Sequence, residues 1–454
     1  MLAGGLILAS PMLLFKPKTR AGLKGKMGLL SDDLETKLSV YKNSIWIHAV
    51  SVGEFNGAFP FIEAIKNKFP NHPLIVSTTT EAGQVMAKQR AGKIAQIIYF
   101  PFDLPWVVDR MLNLISPAAV VIFETELWPN FISSCHERGI PVVLLNARMS
   151  PRSFAGYKAI KQLIGPLLNK LTLIGAQTEA EAEHYKLLAG NIAPIKVFGN
   201  LKYDRPPNVD GQKRDQLKKD LGIKEKELVL IAGSTHADEE RTILDLYQKI
   251  KSKITNLKVI IAPRHPERFE EVAAIIKGFG YEAIRYSQSE RFKNKNDIYL
   301  LDTIGVLADY YALASVAFVG GSLAKIGGHN LLEPYLYGVP VVCGPYLDKT
   351  KETATILSDK KALFIGENAQ AIQDKIIDLL ENETARKQMG KIGQTWLNNN
   401  RGAVEKSITA VSAILSSPPQ RLATAERAAA VNPWHELKNT AERNAVGKEK
   451  RSKK

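Results

Sequence analysis

Cysteine is scarce in this sequence, and its scarcity excludes two common ways of stabilising a protein. The 454 residues contain two cysteines, Cys135 and Cys343, which lie far apart and beside no cluster of His and Cys. We therefore expect neither a disulfide framework nor a zinc site, and a reducing cytoplasm fits this composition.

Acidic residues are also fewer than basic ones. The chain has 46 Asp and Glu against 61 Lys and Arg, which gives a formal net charge of +15. This excess predicts an anionic partner, whether a phosphate, a carboxylate, a lipid head group or nucleic acid. Clusters that interleave aromatic and basic residues for stacking bases are lacking, so nucleic acid is the weakest of these options.

The N-terminal apolar run is too short to span a bilayer, which takes about 20 residues. It covers Leu2–Phe15, with Pro11 in its middle, and is followed by Lys16, Lys18, Arg20, Lys24 and Lys26. A secretory signal carries its positive charge before the apolar region, so cleavage is not expected. We predict a membrane-associating segment over residues 1–30, in or dipping into the cytoplasmic leaflet. The alternative is a buried or frayed terminal helix.

Strand and helix patterns alternate in two long blocks, from Ser44 to about Asn200 and again from Leu228 onward. Such alternation predicts a mostly parallel sheet, covered on both faces, in each block. The predicted strands are 45–49, 74–79, 94–100, 118–123, 142–145, 171–176, 195–198, 228–232, 257–262, 298–301, 316–319 and 339–342.

The fold class expected is therefore α/β, with two Rossmann-like domains facing each other across a cleft at the carboxyl ends of their strands. We place the N-terminal domain at 31–204 and the C-terminal domain at 205–416, because the pattern breaks near Lys202–Pro207. The remaining 417–454 is a basic tail without a core pattern, which we expect to be mobile.

The stretch Ser44–Glu54 organises the first block. It predicts a buried strand, a turn over Val50–Gly53 and then a helix carrying apolar residues at helical spacing. Glu54 therefore lies at the carboxyl end of a strand and next to a helix N-terminus, where ligands bind in open α/β sheets. A carboxylate there is also a good helix cap, so the pattern alone leaves both roles open.

Further charged residues follow other strands of this block. Glu124 and Glu126 follow an apolar strand, and in extended chain they point the same way, so the pair needs a cation or a shared proton. Arg148 and Arg152 follow the next strand and supply cations in the same layer. Lys202 ends the last strand and is a candidate phosphate or carboxylate ligand, although an exposed lysine is more often a solvated charge.

The second block carries small-residue loops after its strands. Neither the Walker pattern nor a GxGxxG fingerprint is present, but four loops suit an anion: Ala232–His236, Pro263–Arg268, Gly320–Ser322 and Gly327–Pro334. We predict that the last of these opens a short helix on which Asn330 and Glu333 share one face, so that the carboxylate accepts the hydroxyls of a ribose. His329 alone is compatible with a structural role. Phosphate and ribose binders on one domain and acids on the other suit nucleotide-sugar chemistry.

Five motifs together resemble the bacterial Kdo (3-deoxy-D-manno-octulosonic acid) transferases of lipopolysaccharide synthesis. They are Ser51-Val-Gly-Glu54, Glu124-Thr-Glu-Leu-Trp-Pro-Asn130, Asn146-Ala-Arg148, Pro263-Arg-His-Pro-Glu-Arg-Phe269 and Gly320-Gly-Ser322…Gly327-Gly-His-Asn330…Glu333. The resemblance implies a GT-B fold, an inverting reaction, CMP-Kdo as donor, the lipid A precursor lipid IVA as acceptor, and the cytoplasmic face of the inner membrane.

The same resemblance implies roles for particular residues. Glu54 is the catalytic base, and Glu124 and Lys202 stabilise the transition state. Metal and cofactor are not needed, since CMP-Kdo is itself the donor substrate. The residues implied to hold CMP are Pro263, Arg264, Gly305, Val306, Leu307, Asn330, Leu331, Leu332 and Glu333.

Two other functions fit parts of the sequence. A nucleotide-sugar epimerase shares this architecture and turns over a nucleotide sugar without a lipid acceptor. A membrane-tethered binding module needs the nucleotide loops but not the acids at Glu54, Glu124 and Glu126.

Overall fold

A computed structural model describes residues 22–190, 192–204, 206–291 and 297–416. The chain divides into two compact units. The first contains the residues up to Lys202 together with those from Gly402 onward, and the second is Tyr203–Arg401.

The first unit is built on a parallel sheet of seven strands in the order β3-β2-β1-β4-β5-β6-β7. The central strands are buried on both faces and rich in Val and Ile, as a sheet covered on two sides requires. The strands are β1 (Ile45–His48), β2 (Leu74–Thr78), β3 (Gln96–Tyr99), β4 (Ala119–Phe123), β5 (Val142–Ala147), β6 (Leu173–Ala176) and β7 (Ile195–Val197).

Helices cover both faces of this sheet, and several begin at a side-chain cap or at a proline in the first turn. They are Leu23–Lys26, Asp32–Ser39, Val52–Lys68, Glu81–Ala91, Pro105–Ile115, Pro129–Glu137, Pro151–Ala159, Lys161–Leu168, Glu179–Ala189 and Ala403–Ser416. A short 3₁₀ helix, Leu201–Asp204, follows β7.

The second unit has a parallel sheet of seven strands in the order β10-β11-β9-β8-β12-β13-β14. Its strands are β8 (Leu228–Thr235), β9 (Leu257–Pro263), β10 (Ile284–Arg285), β11 (Ile298–Leu300), β12 (Val316–Val319), β13 (Val341–Cys343) and β14 (Leu363–Ile365). Its α-helices are Gly211–Asp220, Glu239–Ile250, Phe269–Gly278, Leu307–Tyr310, Lys351–Asp359, Ala369–Glu381 and Glu383–Asn399. Its 3₁₀ helices are Pro266–Arg268, Tyr286–Arg291, Tyr311–Leu313 and Pro334–Tyr337.

Each sheet reverses its strand order at one point, and there the loops on either side diverge and leave a crevice. In the first sheet this point lies between β1 and β4, and in the second between β8 and β12. Glu54 lies in the first turn of the helix that follows β1, and Glu124 lies in the loop after β4. The loops after β8 and β12 carry His236 and Gly321. The fold thus brings candidate functional residues to the place where open α/β sheets bind ligands.

All twelve strands predicted from the sequence exist, with ends shifted by a few residues. Two further strands, β10 and β14, were not predicted. Both are at an edge of the second sheet and contain only two and three residues, too few for a periodic pattern to show.

The last helix, Ala403–Ser416, packs on the first unit, whereas the sequence-based division places residues up to 416 in the second domain. Ala403 and Val411 are fully buried in the same core as Phe55 and Ile62. Periodicity predicts that this helix has an apolar face, but it does not say which sheet receives that face.

Most of the predicted membrane-associating segment, and the whole tail 417–454, lie outside the described residues. Lys26, the last residue of the predicted basic run, is buried, with its ammonium group 5.2 Å from the centre of the Tyr99 ring. It therefore does not face a surface. None of the helices in the described part of the chain has both the length and the apolar character needed to cross a bilayer.

Candidate active site

Glu54 lies in the first turn of the helix Val52–Lys68, which begins directly after β1 and its short loop. The Ser51 side chain caps this helix. The Val50 N–H donates to Glu54 Oε2 at 2.9 Å, and the Ser51 hydroxyl donates to Glu54 Oε1 at 3.2 Å. The prediction that Gly53 belongs to a turn is wrong, because the helix starts one residue before it. Glu54 is thus part of the helix cap, which is one of its two predicted roles. The arrangement is a variant of the capping box, because Glu54 accepts from the N–H of Val50 rather than from that of the N-cap residue Ser51.

The Glu54 carboxyl is half-buried rather than enclosed in the core. Its pKa is raised, first by burial and then by the charge of Glu124, although the Val50 and Ser51 hydrogen bonds oppose the shift. A carboxylate whose pKa moves up toward neutral pH is a stronger base than an exposed one. The hydrogen bonds fix its position, so capping and proton transfer are compatible in one side chain.

Glu124 follows β4 with a backbone φ of +65°, a left-handed conformation that is uncommon for residues other than glycine. The expectation that Glu124 and Glu126 point the same way along extended chain is therefore wrong, because the strand ends at Phe123. The left-handed residue turns the chain sharply at the reversal point of the sheet. Strained backbone of this kind is concentrated at functional sites.

Two cations hold the Glu124 carboxylate, which is only 4% exposed. The Arg148 guanidinium donates to Oε2 from Nε at 3.0 Å and lies 2.9 Å from it through NH2. Lys202 Nζ donates to Oε1 at 3.1 Å. The prediction that Arg148 supplies a cation in this layer is confirmed, whereas Arg152 is exposed and takes part in neither ion pair.

Lys202 owes its position to a glycine and to an amide network. A Cβ at Gly57 would lie 3.2 Å from Lys202 Cε, so the lysine stem crosses the Glu54 helix where that helix lacks a side chain. Asn200 Oδ1 accepts from the Lys202 N–H at 3.0 Å, and Asn146 Oδ1 accepts from the Leu201 N–H at 3.1 Å. Asn146 itself has φ of +53°. Sequence reasoning missed Gly57, because an interior helical glycine carries no chemical signal.

Glu126 completes the acidic group of the first unit. Burial, and then the charges of Glu54 and Glu124, raise its pKa to about 7. The carboxyl therefore keeps its proton to a higher pH than an exposed glutamate does. This agrees with the expectation that neighbouring acids here need a cation or a shared proton: Glu124 has the cations, and Glu126 takes the proton.

In the second unit, two of the four loops predicted to suit an anion are already occupied by a protein carboxylate. Glu239, at the start of the helix Glu239–Ile250, is 1% exposed. Its Oε2 accepts from the N–H groups of His236 and Gly321 at 2.9 and 2.8 Å. Its Oε1 accepts from those of Ser322, Leu323 and Ala324 at 3.0, 2.9 and 3.3 Å.

The backbone N–H groups of the loops after β8 and β12 therefore donate to Glu239. The expectation that these N–H groups are available to a phosphate is wrong. The sequence shows Glu239 only as a typical acid in a first helical turn. Its partner loop is 82 residues away along the chain, a separation that local patterns do not cover.

The predicted nucleotide residues lie at or after the carboxyl ends of strands β9, β11 and β12 of the second sheet. Pro263 pairs with Thr235 at the end of β8, and the Arg264 N–H donates to Thr235 O at 3.0 Å. Leu307 and the Tyr311 hydroxyl both pack against Gly233, and a Cβ added at Gly233 would collide with that hydroxyl. The charge of Glu333 raises the pKa of that same Tyr311, after burial. Gly305 has φ of +95° and open space around it.

Asn330 and Glu333 do not share a helix face, because the helix that follows, Pro334–Tyr337, begins only after Glu333. Asn330 lies in the loop, where its Oδ1 accepts from the Leu332 N–H at 3.0 Å. The proline at 334 fixes the start of a 3₁₀ turn and leaves Asn330 to Glu333 as irregular chain. Their predicted role in binding CMP remains a prediction.

His329 has a partner that the sequence did not indicate. Its Nε2 lies 2.8 Å from His236 Nε2, and the two rings are within 6° of parallel. Burial is the first cause that lowers the pKa of His329, to about 4, followed by His236, Arg264 and Lys349. The two histidines come from the loops on either side of the reversal point.

Comparison with known proteins shows which class this arrangement belongs to. Residues 21–205 match the family model described as 3-deoxy-D-manno-octulosonic-acid transferase (kdotransferase), and residues 213–396 match that of glycosyl transferases group 1. A glycosyltransferase from Rickettsia africae has a similar fold, with a TM-score of 0.53 at 14% identity, covering 83% of this chain and 100% of that one. The UDP-GlcNAc 2-epimerase of Neisseria meningitidis has a TM-score of 0.53 at 12% identity, covering 82% and 99%. The protein is a glycosyltransferase of GT-B-like fold, with two Rossmann-like domains.

Sequence relatives narrow this class to one family. The 3-deoxy-D-manno-octulosonic acid transferase of Haemophilus influenzae is 33% identical over 363 residues, which cover 80% of this chain and 85% of that protein. The enzyme of the same name from Aquifex aeolicus is 29% identical over 341 residues, covering 75% and 86%. The chain belongs to the Kdo transferase family, as the motifs of the sequence predict.

Proposed function

We propose that this enzyme transfers Kdo from CMP-Kdo to lipid IVA, with inversion at the anomeric carbon, in the synthesis of lipopolysaccharide. The observation that carries the proposal is the half-buried Glu54, held by two hydrogen bonds beside a carboxylate that two cations hold in place. The names of the sequence relatives support Kdo as the sugar transferred.

Glu54 acts as the general base in this scheme. Its carboxylate takes the proton of the attacking hydroxyl of the lipid A sugar as the new bond to the anomeric carbon of Kdo forms. The bond from that carbon to the CMP phosphate breaks on the opposite face, and CMP leaves with the electron pair. The raised pKa of Glu54, caused mainly by burial, suits this role because the carboxylate is then basic enough to accept the proton.

Glu124 and Lys202 act on the charge that develops in the transition state, and Arg148 holds the Glu124 carboxylate in place. A Lys202 side chain that is 41% exposed remains accessible to an anionic group, while the buried carboxylate beside it favours positive charge in an oxocarbenium-like sugar. Electrostatic groups fixed in advance cost no reorganisation when the reaction occurs. The scheme uses no metal and no cofactor.

Pro263, Arg264, Gly305 to Leu307 and Asn330 to Glu333 are the proposed CMP-binding residues. Arg264 is exposed at the carboxyl end of β9, and a guanidinium suits a phosphate because its donors match the phosphate oxygens. The open space around Gly305 leaves room for a ligand to approach the backbone.

We place the enzyme at the cytoplasmic face of the inner membrane, where its basic surface meets anionic lipids. The net charge of +15 and the apolar run followed by basic residues support this placement. Co-sedimentation with vesicles of neutral lipid, with and without anionic lipid, tests it. Binding that requires the anionic lipid supports the proposal, and equal recovery in the supernatant with both vesicles contradicts it.

Incubation with CMP-Kdo and lipid IVA, followed by mass measurement of the lipid, tests the function itself. We expect the lipid to gain the mass of one or more Kdo residues, with release of CMP. Unchanged lipid together with a rearranged nucleotide sugar would indicate an epimerase. Unchanged lipid with bound but intact CMP-Kdo would indicate a binding module, and either result would overturn the proposed function.

A further inference from the structure

His236 and His329 form a histidine pair at the reversal point of the second sheet. A distance of 2.8 Å between their Nε2 atoms is a hydrogen bond. Because a neutral imidazole has one N–H, one ring must donate through Nε2 while the other accepts there and keeps its proton on Nδ1. The pair therefore contains a single proton between the rings, and one more proton can bind at the free Nδ1 of the donating ring.

The pair is held rigidly. His236 belongs to the loop that Glu239 ties down, with its own N–H donating to Glu239 Oε2. Gly321, with φ of +66°, lies so close to His329 that a Cβ would come within 2.8 Å of its Cδ2. His236 is 9% exposed and His329 is half-buried. Part of the His329 side chain therefore remains accessible to a ligand, while the contacts with Glu239 and Gly321 fix the geometry of the pair.

The charges that face the pair are mostly positive. Arg264 follows β9, and Lys349 lies beside Gly327, with its Cγ 3.0 Å from where a Cβ would be. The next residue after Arg264, His265, has the Glu267 carboxylate 3.7 Å away. Neither Arg264 nor Lys349 forms an ion pair in the described part of the chain. The other facing groups neutralise one another, since Arg268 lies 2.7 Å from Glu240 and 2.9 Å from Glu271. Glu239 is committed to backbone N–H groups.

Arg264 and Lys349 are exposed, and cations without carboxylate partners make the local potential positive, which attracts an anion. The loop Gly327–Glu333, which carries His329, is also the loop to which the proposed function assigns the nucleotide. The pair therefore lies at the loop where a negatively charged group of the donor substrate would arrive.

We infer that the histidine pair takes up one proton from solvent when a CMP-linked donor binds, and that the imidazolium so formed faces the phosphate diester or the sugar carboxylate. This inference rests on the proposed function, because it takes the donor to be an anionic nucleotide sugar. The proton comes from solvent and stays on the pair, so no further reactant is needed. A purely structural pair would instead remain neutral in both states.

Linkage gives the direction of the effect. In the free protein, burial and the surrounding cations lower the pKa of both histidines, that of His329 to about 4. An anion placed among the same cations cancels their repulsion, so it raises the pKa of the pair in the complex. Donor affinity should then rise as the pH falls through the pKa of the complex, and level off only near the pKa of the free pair.

Isothermal titration calorimetry on the full-length enzyme tests this inference, with the methyl phosphodiester of CMP as the probe. The diester has no phosphate ionisation near neutral pH, unlike CMP, whose second phosphate pKa is about 6. Titrations at pH 6 in two buffers of different ionisation enthalpy measure the protons taken up. We expect more than half a proton per site at pH 6, and a probe affinity about tenfold weaker at pH 7.5 than at pH 6.

Matched variants locate the proton. His236→Gln and His329→Gln keep hydrogen-bonding groups but cannot become cations, so each should abolish the uptake and bring the affinity at pH 6 close to the value at pH 7.5. His265→Gln is the control, because its ring lies 5.2 Å from His236 outside the pair, and it should retain the uptake. Loss of the uptake only in His265→Gln would overturn the inference.

A measurement on the unaltered enzyme covers the case in which a variant fails to fold. The eight histidines can be labelled with carbon-13 and their ring shifts followed against pH by NMR. We expect two of them to titrate together, at a higher pH with the probe than without it. Binding without proton uptake, in an enzyme that still transfers Kdo, overturns this inference alone. Failure of both probe binding and transfer overturns the proposed function with it.

Discussion

Lys202 Nζ lies 3.1 Å from Glu124 Oε1, and the stem of the same lysine crosses the Glu54 helix at Gly57. Lys202 lies in the 3₁₀ helix after β7 rather than at the end of the strand, and its side chain connects that helix with the loop after β4 and with the helix that carries the proposed base. The arrangement depends on a residue with no side chain at the crossing.

Replacing Gly57 with Val should move Lys202 and slow transfer. A displacement of the order of an ångström at a charge-stabilising group lowers the rate constant by about 10- to 100-fold. Steady-state kinetics of Kdo transfer measure the effect. Gly156→Val is the control, because Gly156 lies in another helix of the same unit with open space around it. An unchanged kcat in Gly57→Val would show that Lys202 is not needed in its present position.

Glu54→Gln should lower the rate of transfer by about 100- to 10,000-fold, because the amide still accepts from the Val50 N–H but cannot take a proton. Binding of CMP should not change, since the proposed CMP-binding residues belong to the other unit. Single-turnover transfer and nucleotide titration measure the two quantities. Glu63→Gln, on the exposed side of the same helix, should behave as the unaltered enzyme does. Transfer within tenfold of normal in Glu54→Gln would exclude it as the base.

The two cations on Glu124 should show strong non-additivity in stability. Lys202→Met or Arg148→Met alone should cost less than about 1 kcal/mol, since each cation is roughly half exposed and the other remains. The double variant leaves a buried carboxylate without a partner and should cost about 3 kcal/mol or more. Urea unfolding of the three variants measures these values. Additive losses in the double variant would contradict the shared ion pair.

Glu126 should make the folded protein less stable as the pH rises from about 4.5 to about 7. Burial and the charges of Glu54 and Glu124 raise its pKa to about 7, so the folded state binds more protons than the unfolded state across this interval. The stabilisation of the folded state by this proton is present at lower pH and is lost as the Glu126 carboxyl ionises in the folded protein. After discounting for solvent screening, the effect is on the order of 1 kcal/mol.

Urea unfolding at pH 5 and pH 8 checks this effect, with Glu126→Gln as the comparison. The variant should lose less stability between the two pH values than the unaltered protein does. If both proteins lose the same free energy of unfolding between pH 5 and pH 8, the pKa of Glu126 is not raised.

Glu239→Gln should destabilise the second unit by about 3 kcal/mol. The amide provides one acceptor oxygen for five N–H groups and turns its own NH₂ donor toward the others. Thermal unfolding and nucleotide titration measure the loss of stability and the expected loss of binding. The neighbouring Asp238→Asn is the control, because Asp238 is exposed and makes no capping hydrogen bond. Equal melting temperatures for the two variants would refute the role of Glu239.

Local pattern was enough to predict the architecture and to select several of the candidate site residues. Runs of Val and Ile between helical patterns predicted both parallel sheets. The positions after those runs indicated the candidate residues Glu54, Glu124, Arg148 and Lys202. This prediction was possible because the carboxyl ends of parallel strands lie at the same edge of a sheet, whatever the conformation of the loops that follow them.

What the sequence could not show depends on contacts between distant residues. The carboxylate of Glu239 fills a loop 82 positions away, and His236 meets His329 across 93 positions. Neither pair leaves a periodic or spaced motif. The left-handed backbone of Glu124 was also missed, since its residue type is one that seldom adopts that conformation.

The last helix has a consequence for how the enzyme is made. Ala403 and Val411 complete the core beneath the helix that carries Glu54, yet a ribosome delivers them only after the whole second unit. Domains usually fold as they emerge, the N-terminal one first. Here the first unit has an open apolar face until residues 403–416 have been made. The second unit is topologically an insertion, so it can be the first to reach its native state.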